Sequence, residues 1–460
     1  MKQTFLLKSV QCLILLVCFP FSASAEKIIT AKQDEPDAYF GLKVGAVLSP
    51  SYGYRVRNSD TGLSNAKKDD RTGFSSPWTL LMISKDWEDK GITAEFWGEI
   101  ARSSTFSSDT KADSGTKSNP YAFLLRRANV QKKLSFNELE IRFILGIQEL
   151  PSTYTQWKGY WNWRYVDRGP LESLELSPAP ADLGVSALAK WKFLSAHIGA
   201  VNGEGYREMQ NTSSSGYDLI GRLSAEQEFE KLKLGLHFFG RAGNIAGASG
   251  DECHEGKTSC LASDGNSGTR LIKDLRSQKS SSYAAEFNLL YAKLLNIGAG
   301  ALFKKQYRGT VYDLFHLDNY PVYQKDLSGK AGYFWTGLIW NEWSLVFRQE
   351  KGAGSGGVLS PLYEEKNYLL TGQTSSKSSF RRSLVFFEYV YSDTFRISFG
   401  GSETRNFDSN GEKEKVYFDA VGEQRTKTEY SSQFSSSRPA GISAYDTKER
   451  SVFIRSTIEF

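Results

Sequence analysis

Beyond its N-terminal leader the chain has no apolar run of the ~20 residues that a membrane-crossing helix needs. Histidine is scarce. None of His197, His237, His254 and His316 lies beside a G-x-S-x-G or H-E-x-x-H pattern, so the common hydrolase signatures are missing. A surplus of one charge is missing too. Lys and Arg number 57 against 52 Asp and Glu, which is no nucleic-acid footprint. Asp264-Gly265-Asn266 and Asp408-Ser409-Asn410-Gly411 do not complete a twelve-residue calcium loop and read as turns. Neither an enzyme, a cofactor, a metal site nor a nucleic-acid partner is expected.

Cysteine numbers only 4, and two of them sit in the leader. Residues 1–25 read as a secretory signal peptide. Lys2 and Lys8 form a basic start, Leu13–Val17 is the apolar stretch, and Ala23-Ser24-Ala25 is the cleavage site. Cys18 follows Leu15-Leu16-Val17, a poor approach to a lipidated cysteine. Cys253 and Cys260 remain, close together in a polar stretch. In an exported protein this spacing predicts one small loop disulfide. A metal site with His254 would lack a fourth ligand at the usual spacing. Residues 26–37 are a short polar tail on the periplasmic side, too short for a plug domain.

Alternation is what the chain has in abundance. Aromatics make up 13% and glycines number 41 against 12 prolines, which suits many strands and tight turns. In the closing SVFIRSTIEF, Val452, Ile454, Ile458 and Phe460 share one face of a strand, and Arg455, Thr457 and Glu459 lie on the other. A soluble edge strand of this kind would aggregate. In a closed membrane barrel the apolar face meets lipid, the polar face lines a lumen, and no edge remains. The terminal Phe also resembles the closing signal of bacterial outer-membrane barrels.

A unit then repeats: strand, tight turn, strand, long polar loop. Trp78–Lys85 pairs with Ile92–Arg102, Tyr121–Lys133 with Glu138–Gln148, and Gly184–Lys192 with Ala196–Gly203. Tyr217–Glu228 pairs with Lys231–Arg241, and Tyr283–Tyr291 with Leu295–Lys305. Gly332–Trp340 pairs with Trp343–Gln349, and Arg382–Tyr391 with Thr394–Glu403. Faces lose their order at Leu124-Leu125-Arg126-Arg127, where a bulge is expected. Seven hairpins with a first strand that starts at Phe40–Leu48 and runs on through Tyr52 and Tyr54, and a closing strand, make sixteen, the even count of bacterial barrels. The pattern therefore predicts an all-β fold over 38–460, a sixteen-stranded antiparallel transmembrane β-barrel of the outer-membrane porin type. Its short turns face the periplasm and its long loops the exterior. Aromatics such as Trp191, Tyr291, Trp340 and Trp343 gather beside the short turns as an interfacial girdle. The final strand is expected to pair with Tyr39–Leu48, with Phe460 at the periplasmic interface. The compartment that follows is the outer membrane of a diderm bacterium.

The third long loop, 151–183, carries Trp157, Tyr160, Trp161, Trp163 and Tyr165. So many aromatics need burial. The loop is expected to fold into the barrel as a constriction, with Lys158, Arg164 and Arg168 facing the solute path. Alternation adds Arg142, Lys190, Lys192, Arg222, Lys231 and Lys233 to the lumen wall.

RRANVQKKLSFNELEIRFILGIQELP, DRGPLE, DLGVSALAKWKF and HIGAVNGEGY resemble the phosphate-selective porin O and P family, over residues 120–207. The resemblance implies a trimeric outer-membrane porin that passes small hydrophilic solutes, often with anion preference. Its partners would be outer-membrane lipid, the barrel assembly machinery and the solutes. The chain lacks the N-terminal coiled-coil segment of some members and a dense arginine ladder. The other reading is a structural or adhesive barrel that acts through its external loops.

Overall fold

The computed structural model describes residues 41–60, 67–102, 121–177, 179–203, 205, 217–244, 261–263, 269–271, 279–292, 294–306, 310–312, 321–323, 327–355, 377–408, 417–418, 424–425, 441–442 and 446–460. Cys253 and Cys260, expected to form a disulfide, lie outside them, as do the expected signal peptide (1–25) and tail (26–37). Two compact units are present, Met1–Lys43 and Val44–Phe460, and of the first only 41–43 are described.

Sixteen antiparallel strands close into one barrel. They are β1 (Leu42–Asp60), β2 (Lys67–Trp87), β3 (Ile92–Arg102), β4 (Tyr121–Phe136), β5 (Leu139–Glu149), β6 (Ala181–Trp191), β7 (Leu194–Val201) and β8 (Asp218–Glu228). Then follow β9 (Leu232–Asn244), β10 (Lys279–Tyr291), β11 (Leu295–Gln306), β12 (Leu327–Trp340), β13 (Trp343–Ser355), β14 (Lys377–Ser392), β15 (Phe395–Asp408) and β16 (Asp446–Glu459). Each strand pairs with its chain neighbours, and β16 returns to β1.

The short connections are built from backbone that permits them. Asn137, Lys192, Ala292 and Asn341 all take positive φ near 50°. Asn137, Lys192 and Asn341 open two-residue hairpin turns, which need such residues because their twist then matches that of the strands. Asn137 and Asn341 are types that tolerate it well.

Alternation sorts the side chains as the pattern predicts. Phe143, Leu145, Phe238, Phe399 and Val452 are exposed on the outer wall. Ser224, His237, Glu286, Asn288, Ser344 and Arg348 are buried on the inner one. Phe136, Trp191, Phe229, Tyr291, Trp340, Trp343 and Tyr391 stand exposed beside the short turns, where a girdle meets the membrane interface.

The irregularity in β4 is a bulge. Trp97 on β3 faces Arg127 and the next residue, Gly98, faces Leu125, so Arg126 is the extra residue. A bulge breaks strict alternation. Both arginines consequently reach carboxylates of the inner wall.

Closure differs from expectation in one respect. Phe460 and Ala46 exchange backbone hydrogen bonds of 2.9 and 3.2 Å. Pairing then continues upward from Val47↔Glu459 to Asp60↔Asp446. The partner of the last strand is therefore Ala46–Asp60 and not Tyr39–Leu48. β1 is longer than its apolar stretch and carries the ladder past Tyr54 through Arg55 and Arg57. Deleting Phe460 removes both terminal bonds at the seam. We expect outer-membrane levels of the heat-modifiable form to fall several-fold, measured by cold versus boiled gel mobility. Unchanged levels would dissociate closure from that residue.

Candidate pore constriction

The chain between β5 and β6 has few regular elements but is internally bonded. A 3-10 turn, Pro151–Thr153, leads into a one-turn helix, α1 (Tyr154–Trp157), and a second turn of helix, α2 (Pro170–Ser173), follows. Proline opens the 3-10 turn and α2, where a missing N–H costs nothing. The Leu150 N–H donates to Pro180 O at 2.8 Å and clasps the base of the loop. The N–H groups of Tyr160 and Trp161 both donate to Thr155 O, and Trp161 Nε1 donates to Asp167 O at 2.8 Å. Backbone groups satisfied in this way can leave water at little cost.

One side of the loop is apolar and sits in a dry core inside the barrel. Trp161, Trp163, Val166, Leu171, Leu174 and Leu176 pack against Phe239, Leu302, Trp335, Val346 and Phe386 of β9 and β11–β14. Trp161 meets Trp335 edge-on at 5.6 Å and Trp163 at 5.5 Å, an arrangement that aromatic quadrupoles favour. Gly337 makes the space. A Cβ there would lie 2.1 Å from the Trp163 ring.

The far edge of the loop is tied by charge. Asp167 accepts from Arg348 at 2.5 Å and Arg382 at 3.3 Å. Glu350 joins both arginines at 3.0 and 3.6 Å. Burial alone would raise the Asp167 carboxyl, but Arg348, Arg382 and Arg455 hold it below its ordinary range. On the opposite strands, Trp157 stands among three guanidiniums, those of Arg164 at 4.5 Å, Arg127 at 5.1 Å and Arg126 at 6.0 Å. Arg126 and Arg127 are neutralised by Glu99, Glu149 and Glu95. Arg164 donates to Tyr165 Oη at 2.8 Å.

The remaining side is polar and faces β6–β9. Tyr154 and Tyr160 both donate to Glu226, at 2.5 and 2.7 Å. The Arg222 guanidinium lies 3.2 Å from the centre of the Tyr154 ring, and Lys233 Nζ lies 4.7 Å from that of Tyr160. Lys158 is exposed beside them. Partial desolvation against the barrel wall lowers the affinity of Lys158 for its proton. Lys190, Lys233 and Arg222 push in the same direction, and Glu226 opposes them. Glu228 stands directly across the ladder from Lys233, and Glu140 across from Lys190, so the four cations still outnumber the three carboxylates beside them.

The structure therefore brings Lys158, Lys190, Arg222 and Lys233 together. Arg142 lies on the same inner wall, bonded to Glu140 at 3.1 Å and to Gln131 at 3.3 Å. Arg164 stacks on Trp157 and Tyr165, and Arg168 pairs with Glu172 at 3.5 Å. Two expected lumen residues are not on the wall. Lys192 lies in the β6–β7 turn and pairs with Glu138 of the neighbouring turn at 3.1 Å. Lys231 lies in the β8–β9 turn. Alternation stops at the strand ends, and a turn has no faces. The pattern missed Arg126, Arg127 and Arg382. The first two were hidden by the bulge, whose disordered faces were the only signal for them.

Closed pairing of an even number of strands, an apolar outer wall and an aromatic girdle settle the class. The chain is a sixteen-stranded outer-membrane β-barrel. No family model matches its sequence, the phosphate-selective porins included, and no curated protein matches it. Solved structures resemble it at low identity. The anion-selective porin from Comamonas acidovorans is 11% identical, with 91% of this chain and 99% of that chain covered at a TM-score of 0.49. A loop L8 deletion mutant of OmpT, an outer membrane protein of Vibrio cholerae, is 12% identical, with 91% and 100% covered at 0.47. The outer membrane channel DcaP of Acinetobacter baumannii is 8% identical, with 91% and 97% covered at 0.48. At such values the likeness carries no function to this chain.

Proposed function

We propose that the barrel is a porin for small hydrophilic solutes, with a preference for anions. The observation that carries this reading is the cluster of Lys158, Lys190, Lys233 and Arg222 around Glu226, in which cations outnumber carboxylates even with Glu228 and Glu140 counted. Sixteen strands enclose more space than side chains alone fill. The loop takes up much of it on the β9–β14 side, and its Lys158 edge faces β6–β9. A solute passing there meets a net positive wall. Rings of like charge are what make such pores selective. Low-dielectric walls sharpen the field. Trimeric assembly and passage of phosphate-like anions belong to the same reading, on the strength of the O and P resemblance.

Planar-bilayer recording of the refolded protein tests it. Stable open steps are expected, with a reversal potential in a salt gradient on the side of anion permeability. A silent barrel would return the adhesive reading, and a cation-selective one would remove the role given to the cluster.

A further inference from the structure

The outer wall carries a second basic feature that the lumen does not explain. Cross-strand pairing places Lys351 of β13 directly opposite Arg381 of β14, Arg381 opposite Arg405 of β15, and Arg405 opposite Lys448 of β16. All four lie toward the external ends of their strands. Lys330 stands near the external end of β12, one strand away. Lys330, Lys351 and Arg381 are exposed. Like charges directly across a ladder repel, and Lys351 opposite Arg381 is such a pair, which an anion lying on it would relieve. Among the described residues, no carboxylate lies on the outer face of β10–β14. Glu403, on β15, is already engaged by Arg450 at 2.7 Å and Lys448 at 3.3 Å.

Followed the other way, the same row becomes small. Lys351 faces Gly332, Gly332 faces Ala301, and Ala301 faces Ala285. These residues floor a groove of about 1000 Å³ walled by Phe238, Tyr283 and Phe303 and edged by Lys330 and Lys351. The three aromatics are exposed on the lipid-facing wall. An apolar trough that ends in cations at the external rim matches an amphiphile with acyl chains and an anionic head.

We propose that this face binds a phosphate-bearing lipid of the outer leaflet. Its acyl chains lie on Ala285, Ala301 and Gly332, and its phosphate lies on Lys330, Lys351 and Arg381. Charge complementarity selects this occupant over a second copy of the chain, which would have to cover the cationic row with a face of its own.

The test uses the full-length barrel, purified in detergent and freed of lipid, with bisphosphorylated lipid A as probe and native mass spectrometry as readout. Binding should weaken at least tenfold in Lys330→Gln/Lys351→Gln/Arg381→Gln. It should also weaken in Gly332→Leu, which keeps every charge and fills the trough. A Cβ at Gly332 has its nearest neighbour at 3.8 Å, so the wall accepts the side chain. The single change Lys351→Gln serves as the milder charge variant and should weaken binding in the same direction. Millimolar inorganic phosphate should not displace the lipid, because it has no chains. Undiminished binding by the folded charge variants would overturn the proposal. Displacement by inorganic phosphate would reduce the site to a free-anion site and overturn the lipid assignment. A change of oligomer mass in Gly332→Leu with lipid binding intact would assign the trough to a second copy.

Discussion

With Trp161 and Trp163 both changed to alanine, single-channel conductance should rise several-fold while the barrel stays closed. Both rings are buried in the dry core within the lumen. Truncating one buried Trp costs about 3–5 kcal/mol. A loop that loses its two largest anchors keeps Val166, Leu171, Leu174, Leu176 and the Asp167 ion pairs but is held on β9–β14 much more weakly. The ladder of sixteen strands is untouched, so cold and boiled gel mobilities should match those of the parent. Gly337→Val attacks the same contact from the wall, since its Cβ alone would collide with Trp163. Agreement of the two variants separates a released loop from an accident of one substitution. Parental conductance in both, with correct mobility, would mean that the loop does not set the narrowest passage.

Lys158→Gln, Lys190→Gln and Lys233→Gln combined should lower the anion-to-cation permeability ratio roughly tenfold at low salt. One unit charge about 8 Å from a passing ion is worth about 0.5 kcal/mol even in bulk water. Three such losses sum to about 1.5 kcal/mol, and 1.4 kcal/mol is a factor of about ten. Arg222 is left in place because it is buried over Tyr154. The effect should shrink near 1 M salt, where the screening length falls to about 3 Å. Reversal potentials in salt gradients at both strengths measure it. An unchanged ratio at low salt would place the selective charges elsewhere.

Much of the barrel was legible because its physics is local. Period-two alternation, turn residues such as Asn137 and Asn341, and the contrast of short and long connections each act within a few residues. The bulge was legible as a loss of order at Leu124–Arg127. The aromatic surplus of the third long loop marked it as a segment in need of burial. What it would bury against was not legible. β12 and β14 are apolar on both faces, as Tyr333, Trp335, Phe380 and Phe386 show on the inner wall. A barrel rule that assigns apolar residues to lipid has no place for them. Read beside an aromatic loop, a strand apolar on both faces is the signal that was available. The cation cluster was half legible. Lys190, Arg222 and Lys233 came from alternation on β6, β8 and β9, but their approach to Lys158 depends on how the loop docks, which is a long-range matter.

Arg455 on the closing strand reaches across to the docked loop, where its guanidinium donates to the carbonyls of Tyr165, at 2.9 Å, and Val166. β16 is the last segment of the chain and must complete the seam with β1. The loop, in turn, rests on side chains of β9–β14, all made after it. Docking therefore cannot finish before the later wall exists, and the strand that ends assembly also carries a contact to the finished plug. The seam is thereby sealed most favourably around an interior that is already filled. A barrel that closed with its loop outside would leave the Arg455 guanidinium in lumen water, so the closing strand gains this contact only around a loop that has already docked.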